Sequence, residues 1–191
     1  MKKHVEKKTS AILITCIVIG AFGLTFAYLS ITQPESMNPI FLLLIPPKDN
    51  ISPWTWVSGS DSGNQLGTYG TKGVGDASNV PGARRSSISW TDSEDNLWLF
   101  GGEGYNDVSY GKLNDLWKFN ITSGLWTWVS GTNLLEQLGT YGEQNVFEAS
   151  NVPGARSRSI SWIDSYNNLW LFGGEGYNDV SYGYLNDLWK F

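Results

Sequence analysis

Asn96-Leu-Trp-Leu-Phe-Gly-Gly-Glu-Gly-Tyr-Asn-Asp-Val-Ser-Tyr-Gly111, followed after Lys112 by Leu113-Asn-Asp-Leu-Trp-Lys-Phe119, decides the reading of this chain because it occurs twice. Asn168 to Gly183 repeats the first part and Leu185 to Phe191 the second. Sliding the chain against itself gives one register, 72 residues, running without a gap from Trp54–Phe119 onto Trp126–Phe191 with about three quarters of the 66 positions identical. Most differences fall at Ser60 to Asn64 and Thr71 to Asp76, opposite Thr132 to Glu136 and Glu143 to Glu148. Segments free to drift between copies read as surface loops, and the identical segments between them read as strands.

Four strands are predicted in one unit. Arg84 to Trp90 is the first, followed by a polar turn at Asp92-Ser-Glu-Asp95; Asn96 to Gly102 is the second, Leu113 to Ile121 the third and Leu125 to Ser130 the fourth, after the Thr122-Ser123-Gly124 turn. Alternation separates Leu97 and Leu99 from Trp98 and Phe100, so both faces of the sheet are apolar. A sheet of this kind must be covered on both sides, which a stack or ring of similar sheets supplies.

The composition agrees with an all-β chain. Ten Trp, nine Tyr, eight Phe and 22 Gly among 191 residues are large flat side chains separated by turn residues. From Ile51 onward there are eight Lys or Arg against 15 Asp or Glu, a balance of −7 that disfavours binding to a phosphate backbone, so nucleic acid is not an expected partner. The one cysteine, Cys16, and the one histidine, His4, both precede Ile51. No disulfide framework, thiolate nucleophile, imidazole base or zinc-type site can then be built in the repeat region of one chain, and neither a metal nor a cofactor is expected.

Residues 1–10 form a basic head, and Ala11 to Leu29 is a 19-residue apolar run without a charge. As a helix it would rise about 28 Å, close to the hydrocarbon thickness of a bilayer. Residues 11–32 are therefore predicted to be one transmembrane helix and 33–52 a linker, with residues 53–191 as the repeat region. Four lysines precede the run, which places the N-terminus inside and the repeat region on the extracytoplasmic side. An uncleaved signal anchor is the preferred reading; a signal peptide cut after Thr25-Phe26-Ala27, releasing a secreted protein, is the alternative. Ile40-Phe-Leu-Leu-Leu-Ile45 is too short to span a bilayer.

Gly101-Gly102 and Gly173-Gly174 close a hydrophobic strand, and Phe119 is followed seven residues later by Trp126. Together these positions resemble the kelch motif, a diglycine followed by an aromatic residue and a Trp with six residues between them, over Trp54 to Phe191. The resemblance implies a β-propeller of four-stranded antiparallel blades, about two of them here, as in the central domain of galactose-oxidase-like proteins. Kelch units usually run about 50 residues, and the excess in this 72-residue period lies at Gly59 to Ala83 and Gly131 to Ala155. Strand parity puts these long loops at the same end as the loop between second and third strands.

Trp54 to Ser58 matches a fourth strand without its blade, and the second unit stops at Phe191 after a third strand. Two blades do not make a ring, because natural propellers have roughly four to eight. Bare outer faces would leave several Trp and Phe side chains each forgoing about 1.5 to 3 kcal/mol of burial. Association is the preferred expectation, for example a trimer whose three chains give six blades; a piece of a longer repeat protein with a purely structural role is the alternative.

Glu103 and Glu175, after the diglycines, with Tyr105, Tyr110, Tyr177 and Tyr182 in the same segments, are candidates for contact with a protein or a glycan. Arg84 and Arg156 begin the first strands and can grip a carboxylate in two-pronged fashion; a partner within the chain, Glu103 or Asp115 for Arg84, is the favoured reading. Asn114-Asp115 and Asn186-Asp187 read as turn-shaping residues before the third strand, and Asp92, Glu94 and Asp95 as a solvated hairpin turn rather than a calcium site. Within the resembled family, copper radical oxidases need histidine ligands and a cysteine joined to tyrosine, which the repeat region lacks. A mutarotase-like sugar chemistry using Glu103 or Glu175 beside Arg84 or Arg156 stays open, and the preferred expectation is binding without catalysis.

Overall fold

The computed structural model describes residues 54–191 together with two short strands nearer the N-terminus, β1 (Val18–Gly20) and β2 (Gly23–Thr25). The chain divides into two units, Met1–Trp54 and Thr55–Phe191. In the first, β1 and β2 pair antiparallel, with Val18 opposite Thr25 and Gly20 opposite Gly23. These six residues fall inside the run expected to be a transmembrane helix and are extended instead; the rest of that run lies outside the described residues. Among the described residues no helix is long and apolar enough to cross a membrane.

The second unit is all-β, with two antiparallel sheets. The first contains β3 (Gly75–Asp76), β4 (Arg84–Arg85), β5 (Ile88–Thr91), β6 (Leu97–Tyr105), β7 (Tyr110–Asn120) and β8 (Leu125–Ser130). Its order is β3-β8-β7-β6, and both β4 and β5 pair with the outer side of β6. The second contains β9 (Arg156–Ser157), β10 (Ile160–Ile163), β11 (Leu169–Tyr177) and β12 (Tyr182–Lys190), with β9 and β10 on one side of β11 and β12 on the other.

Four expectations are corrected at the strand boundaries. The first strand, expected over Arg84 to Trp90, is broken into β4 and β5 because Ser86 turns into the left-handed region at φ 55°, as Arg158 does at 60° in the second copy. The second strand does not stop at the diglycine. Gly101 and Gly102, at φ 58° and 95°, make a bulge between Phe100 and Gly102, and pairing resumes as far as Tyr105 opposite Tyr110. A Cβ at Gly102 would collide with Ser87 Oγ and come within 2.7 Å of the Arg85 carbonyl, so only glycine fits. Glu103 to Gly111 is thus a hairpin with a four-residue tip, not an open loop, and Asn114-Asp115 lie within β7, not before it. Lastly, Trp54 to Ser58 forms no strand here; Trp54 and Trp56 stand in solvent.

Part of the long loop is ordered by pairing. Thr68 bridges Val80, Thr140 bridges Val152, and β3 adds to the edge of β8. The core lies between the sheets. Ile88, Trp90, Phe100 and Leu116 on the front of the first sheet, with Trp98 and Val129, pack on Leu169, Leu171 and Trp189 from the back of the second. Trp98 also meets the Phe191 ring at 5.8 Å. Main-chain and side-chain bonds tie the join: Trp90 donates its indole N–H to the Trp170 carbonyl at 3.1 Å, and Arg158 N–H donates to the Ser86 carbonyl at 2.9 Å.

Candidate functional site

The hairpin ends of both sheets carry the candidate residues, and each sheet builds the same buried support beneath them. Arg84 donates to both Asp115 oxygens at 2.7 and 2.8 Å, and also to the carbonyls of Gly82 and Gly101. Asp115 further accepts from the Tyr69 hydroxyl at 2.6 Å and the Trp117 indole at 2.7 Å. In the second copy Arg156 holds Asp187 with the same two bonds, joined by Tyr141 at 2.5 Å and Trp189 at 2.7 Å. A two-pronged guanidinium–carboxylate pair with its remaining lone pairs filled is a satisfied buried pair, so these arginines spend their donors inside the fold. Of the two carboxylates proposed for Arg84, Asp115 is its partner and Glu103 is not.

The tyrosines in these supports are held protonated. Burial, and then the Asp115 carboxylate, raises Tyr69; burial and the hydrogen bond to Asp187 push Tyr141 up to about 12. For Asp187, burial works upward, yet donation from Arg156, Tyr141 and Trp189 outweighs it and holds the carboxyl below the usual carboxylate range.

Glu103 and Glu175 sit one strand residue past the diglycine and point to the surface. The antiparallel register puts Arg85 opposite Glu103, and the two pair at 3.2 Å. In the second copy the cation has moved one position, from the Arg85-Ser86 of the first copy to Ser157-Arg158, and Arg158 reaches Glu175 at 3.0 Å. The Tyr182 hydroxyl also donates to Glu175. That bond lowers the Glu175 carboxyl and, in return, pushes the exposed Tyr182 up to about 12. Beside each glutamate a pair of tyrosine rings lies edge to face, Tyr105 with Tyr110 at 5.0 Å and Tyr177 with Tyr182 at 5.1 Å.

Arg85, Arg158 and Lys112 are the residues that the sequence did not single out. The register with Glu103 would have found Arg85, but that register depends on the bulge. Lys112 is buried at the join, where its ammonium donates to Ser157 Oγ at 3.0 Å and lies 5.5 Å from the Tyr182 ring centre. The long loop reaches the same end: Glu136 accepts from the Lys112 amide at 2.9 Å, and Asn106 donates to the Asn133 carbonyl at 2.7 Å. Strand parity placed these segments together.

Asp92 and Asp164 close the hairpin turns. Asp164 accepts from Asn168, from the Trp170 indole and from the Tyr166 and Asn168 amides, which brings it down to about 2. Among the described residues no group of three His, Cys, Asp or Glu side chains is placed to hold a metal ion.

No protein-family model matches the sequence, and no curated protein does. A solved structure titled "Structure of YjhT" is 19% identical and similar over 52% of this chain and 23% of that one, with a TM-score of 0.37. The chain therefore spans about a quarter of that protein's length.

Proposed function

We propose that the chain is a kelch-type β-propeller module, tethered to or exported across a membrane by its N-terminal segment, that binds a protein or a glycan through its hairpin-and-long-loop end without catalysing a reaction. The observation that carries the reading is the duplicated surface cluster: a tyrosine pair beside a glutamate–arginine pair, Tyr105/Tyr110 with Glu103–Arg85 and Tyr177/Tyr182 with Glu175–Arg158. Aromatic faces supply flat apolar area and the ion pair supplies oriented donors and acceptors, the combination that sugar rings and peptide surfaces use. The kelch identity is supported by the diglycine bulge and by the Phe119–Trp126 ring pair at 5.0 Å, which put the motif residues to structural use.

The chemistry of Glu175 favours binding over catalysis. A carboxyl lowered by a tyrosine hydroxyl is a weak base and stays ionised near neutrality, the opposite of the raised acid that sugar chemistry asks for. Glycan-array and pull-down experiments with the full-length chain test the reading: binding is expected and should fall when Tyr110 and Tyr182 are both replaced by Ala. If the chain instead speeds sugar anomer exchange, and Glu103→Gln with Glu175→Gln abolishes the rate, the mutarotase-type reading replaces it. Silence in every binding and rate assay would leave a structural repeat.

A further inference from the structure

The internal join between the two sheets is a template for a second one. Ile88, Trp90, Phe100 and Leu116 on the front of the first sheet are 4–8% exposed because the back of the second sheet covers them. Their counterparts one period later, Ile160, Trp162, Phe172 and Leu188, are 37–57% exposed and line an open apolar depression of about 510 Å³. The surface that covers the first set is Leu169 and Leu171, each 4% exposed, with Trp189. One period earlier the same residues are Leu97, which is 43% exposed, half-buried Leu99, and Trp117, which is already fully buried beside Tyr69 and Trp126. The molecule thus carries the front half of its own interface open on the second sheet, and on the opposite end the back half partly open at Leu97 and Leu99 of the first.

A strand is also left over, with an edge to match it. In the first sheet, β8 pairs with β7 through Trp117 opposite Trp128, Lys118 opposite Thr127 and Phe119 opposite Trp126. In the second, β12 has no strand on that side among the described residues. The sequence of β8, Trp126-Thr-Trp-Val-Ser130, recurs as Trp54-Thr-Trp-Val-Ser58, which pairs with nothing in the described structure. That segment already makes the local bond of its paired counterpart: the Trp56 indole donates to the Ser58 carbonyl at 2.9 Å, as Trp128 does to Ser130 at 2.8 Å.

We infer that the front of the second sheet is the docking site for a second copy of this chain, which seats the back of its first sheet there and adds its Trp54–Ser58 as a strand along β12. The pairing of β7 with β8 fixes the strand register: Trp189 would face Trp56 of the second copy, Lys190 its Thr55 and Phe191 its Trp54. The internal join fixes a bond, from the Trp162 indole to the Trp98 carbonyl of the second copy, the counterpart of Trp90 to Trp170. Exposed strand edges and contiguous apolar faces are surfaces that proteins normally cover, and this occupant is complementary by repetition of an interface already formed. The contact is heterologous, so copies add head to tail, closing into a ring where the rotation permits. It goes beyond the ligand reading and does not depend on it.

Sedimentation of the full-length chain tests this, with two variants at exposed positions that leave the internal join intact. Phe172→Asp with Leu188→Asp spoils the front face, and Trp54→Asp with Trp56→Asp spoils the added strand. The wild-type chain is expected to self-associate, and each variant alone to do so at least about tenfold more weakly. Mixing the two variants should restore association, limited to a one-to-one pair, because each supplies the half the other lacks. A wild-type chain that stays monomeric overturns the inference and leaves the face to another protein or a further repeat. Association that survives the strand variant also overturns it, in favour of a symmetric front-to-front contact.

Discussion

Arg156 and Asp187 meet side-on through two hydrogen bonds of 2.7 and 2.8 Å, and the Arg84–Asp115 pair 72 residues earlier has the same 2.7 and 2.8 Å geometry. The copies differ in cover: the Asp115 side chain is fully buried, whereas that of Asp187 is 14% exposed at the edge strand. Removing one member of a buried pair strands the other charge, so Asp115→Ala should lower stability by about 3–5 kcal/mol and Asp187→Ala by less. Urea unfolding of the two variants side by side checks the ranking.

The diglycine bulge gives a second ranking. Gly124 sits at φ 70° in a turn with nothing within 4 Å of a Cβ, so Gly124→Ala should cost only the left-handed penalty of about 1–2 kcal/mol. Gly102→Ala adds contact with Ser87 and the Arg85 carbonyl and should cost clearly more. Thermal melts of the two variants measure the difference. Equal losses would mean that β4 and β5 shift freely around the bulge.

Stability should fall at both ends of the pH scale for identifiable reasons. Asp164 titrates at about 2 in the fold against about 3.9 in an unfolded chain, so its contribution is present above about pH 4 and disappears as pH falls through 2. The gap between the wild type and Asp164→Asn should close over that interval. Tyr141 is raised to about 12 from an ordinary 10, so its contribution is whole below pH 10 and is lost as pH rises through 12. Tyr141→Phe should flatten the alkaline limb. Unfolding midpoints followed against pH would show both.

At the surface cluster, hydroxyl and ring can be separated. Tyr182→Phe keeps the ring beside Tyr177 but removes the donor to Glu175, and Tyr182→Ala removes both. If stacking carries ligand binding, the Phe variant should bind nearly as the wild type does and the Ala variant roughly 5- to 30-fold more weakly, the equivalent of about 1–2 kcal/mol. Titration calorimetry against whichever ligand the array returns is the measurement.

Local residue types made the strands legible, since Leu97 to Phe100 and Leu116 to Phe119 alternate cleanly and recur. Their ends were not, because a bulge lets pairing continue through Gly101-Gly102 where sequence alone reads the end of the strand. Trp54 to Ser58 shows the complementary limit. A segment with a strand's residues stays irregular when no partner edge lies beside it, since pairing is a property of two segments. The Arg84–Asp115 pair was legible as one of two options, but the Arg85–Glu103 pair needed a register that only the fold supplies. Lys112 was hidden for a similar reason: its partner Ser157 lies across the join between sheets.

The small exchange that puts Ser157-Arg158 where the first copy has Arg85-Ser86 makes the two halves chemically distinguishable. At the internal join, Lys112 needs a neutral neighbour and finds Ser157; an arginine there would set two cations against each other. The counterpart of Lys112 is Tyr184, which is almost wholly exposed, and in the proposed assembly it would face Arg85 of the next copy, an aromatic ring against a guanidinium. Near-identical sheets would thereby be keyed in the proposed assembly: lysine to serine within a chain, tyrosine to arginine between chains. In that assembly a handful of side chains would tell each half which neighbour is its own.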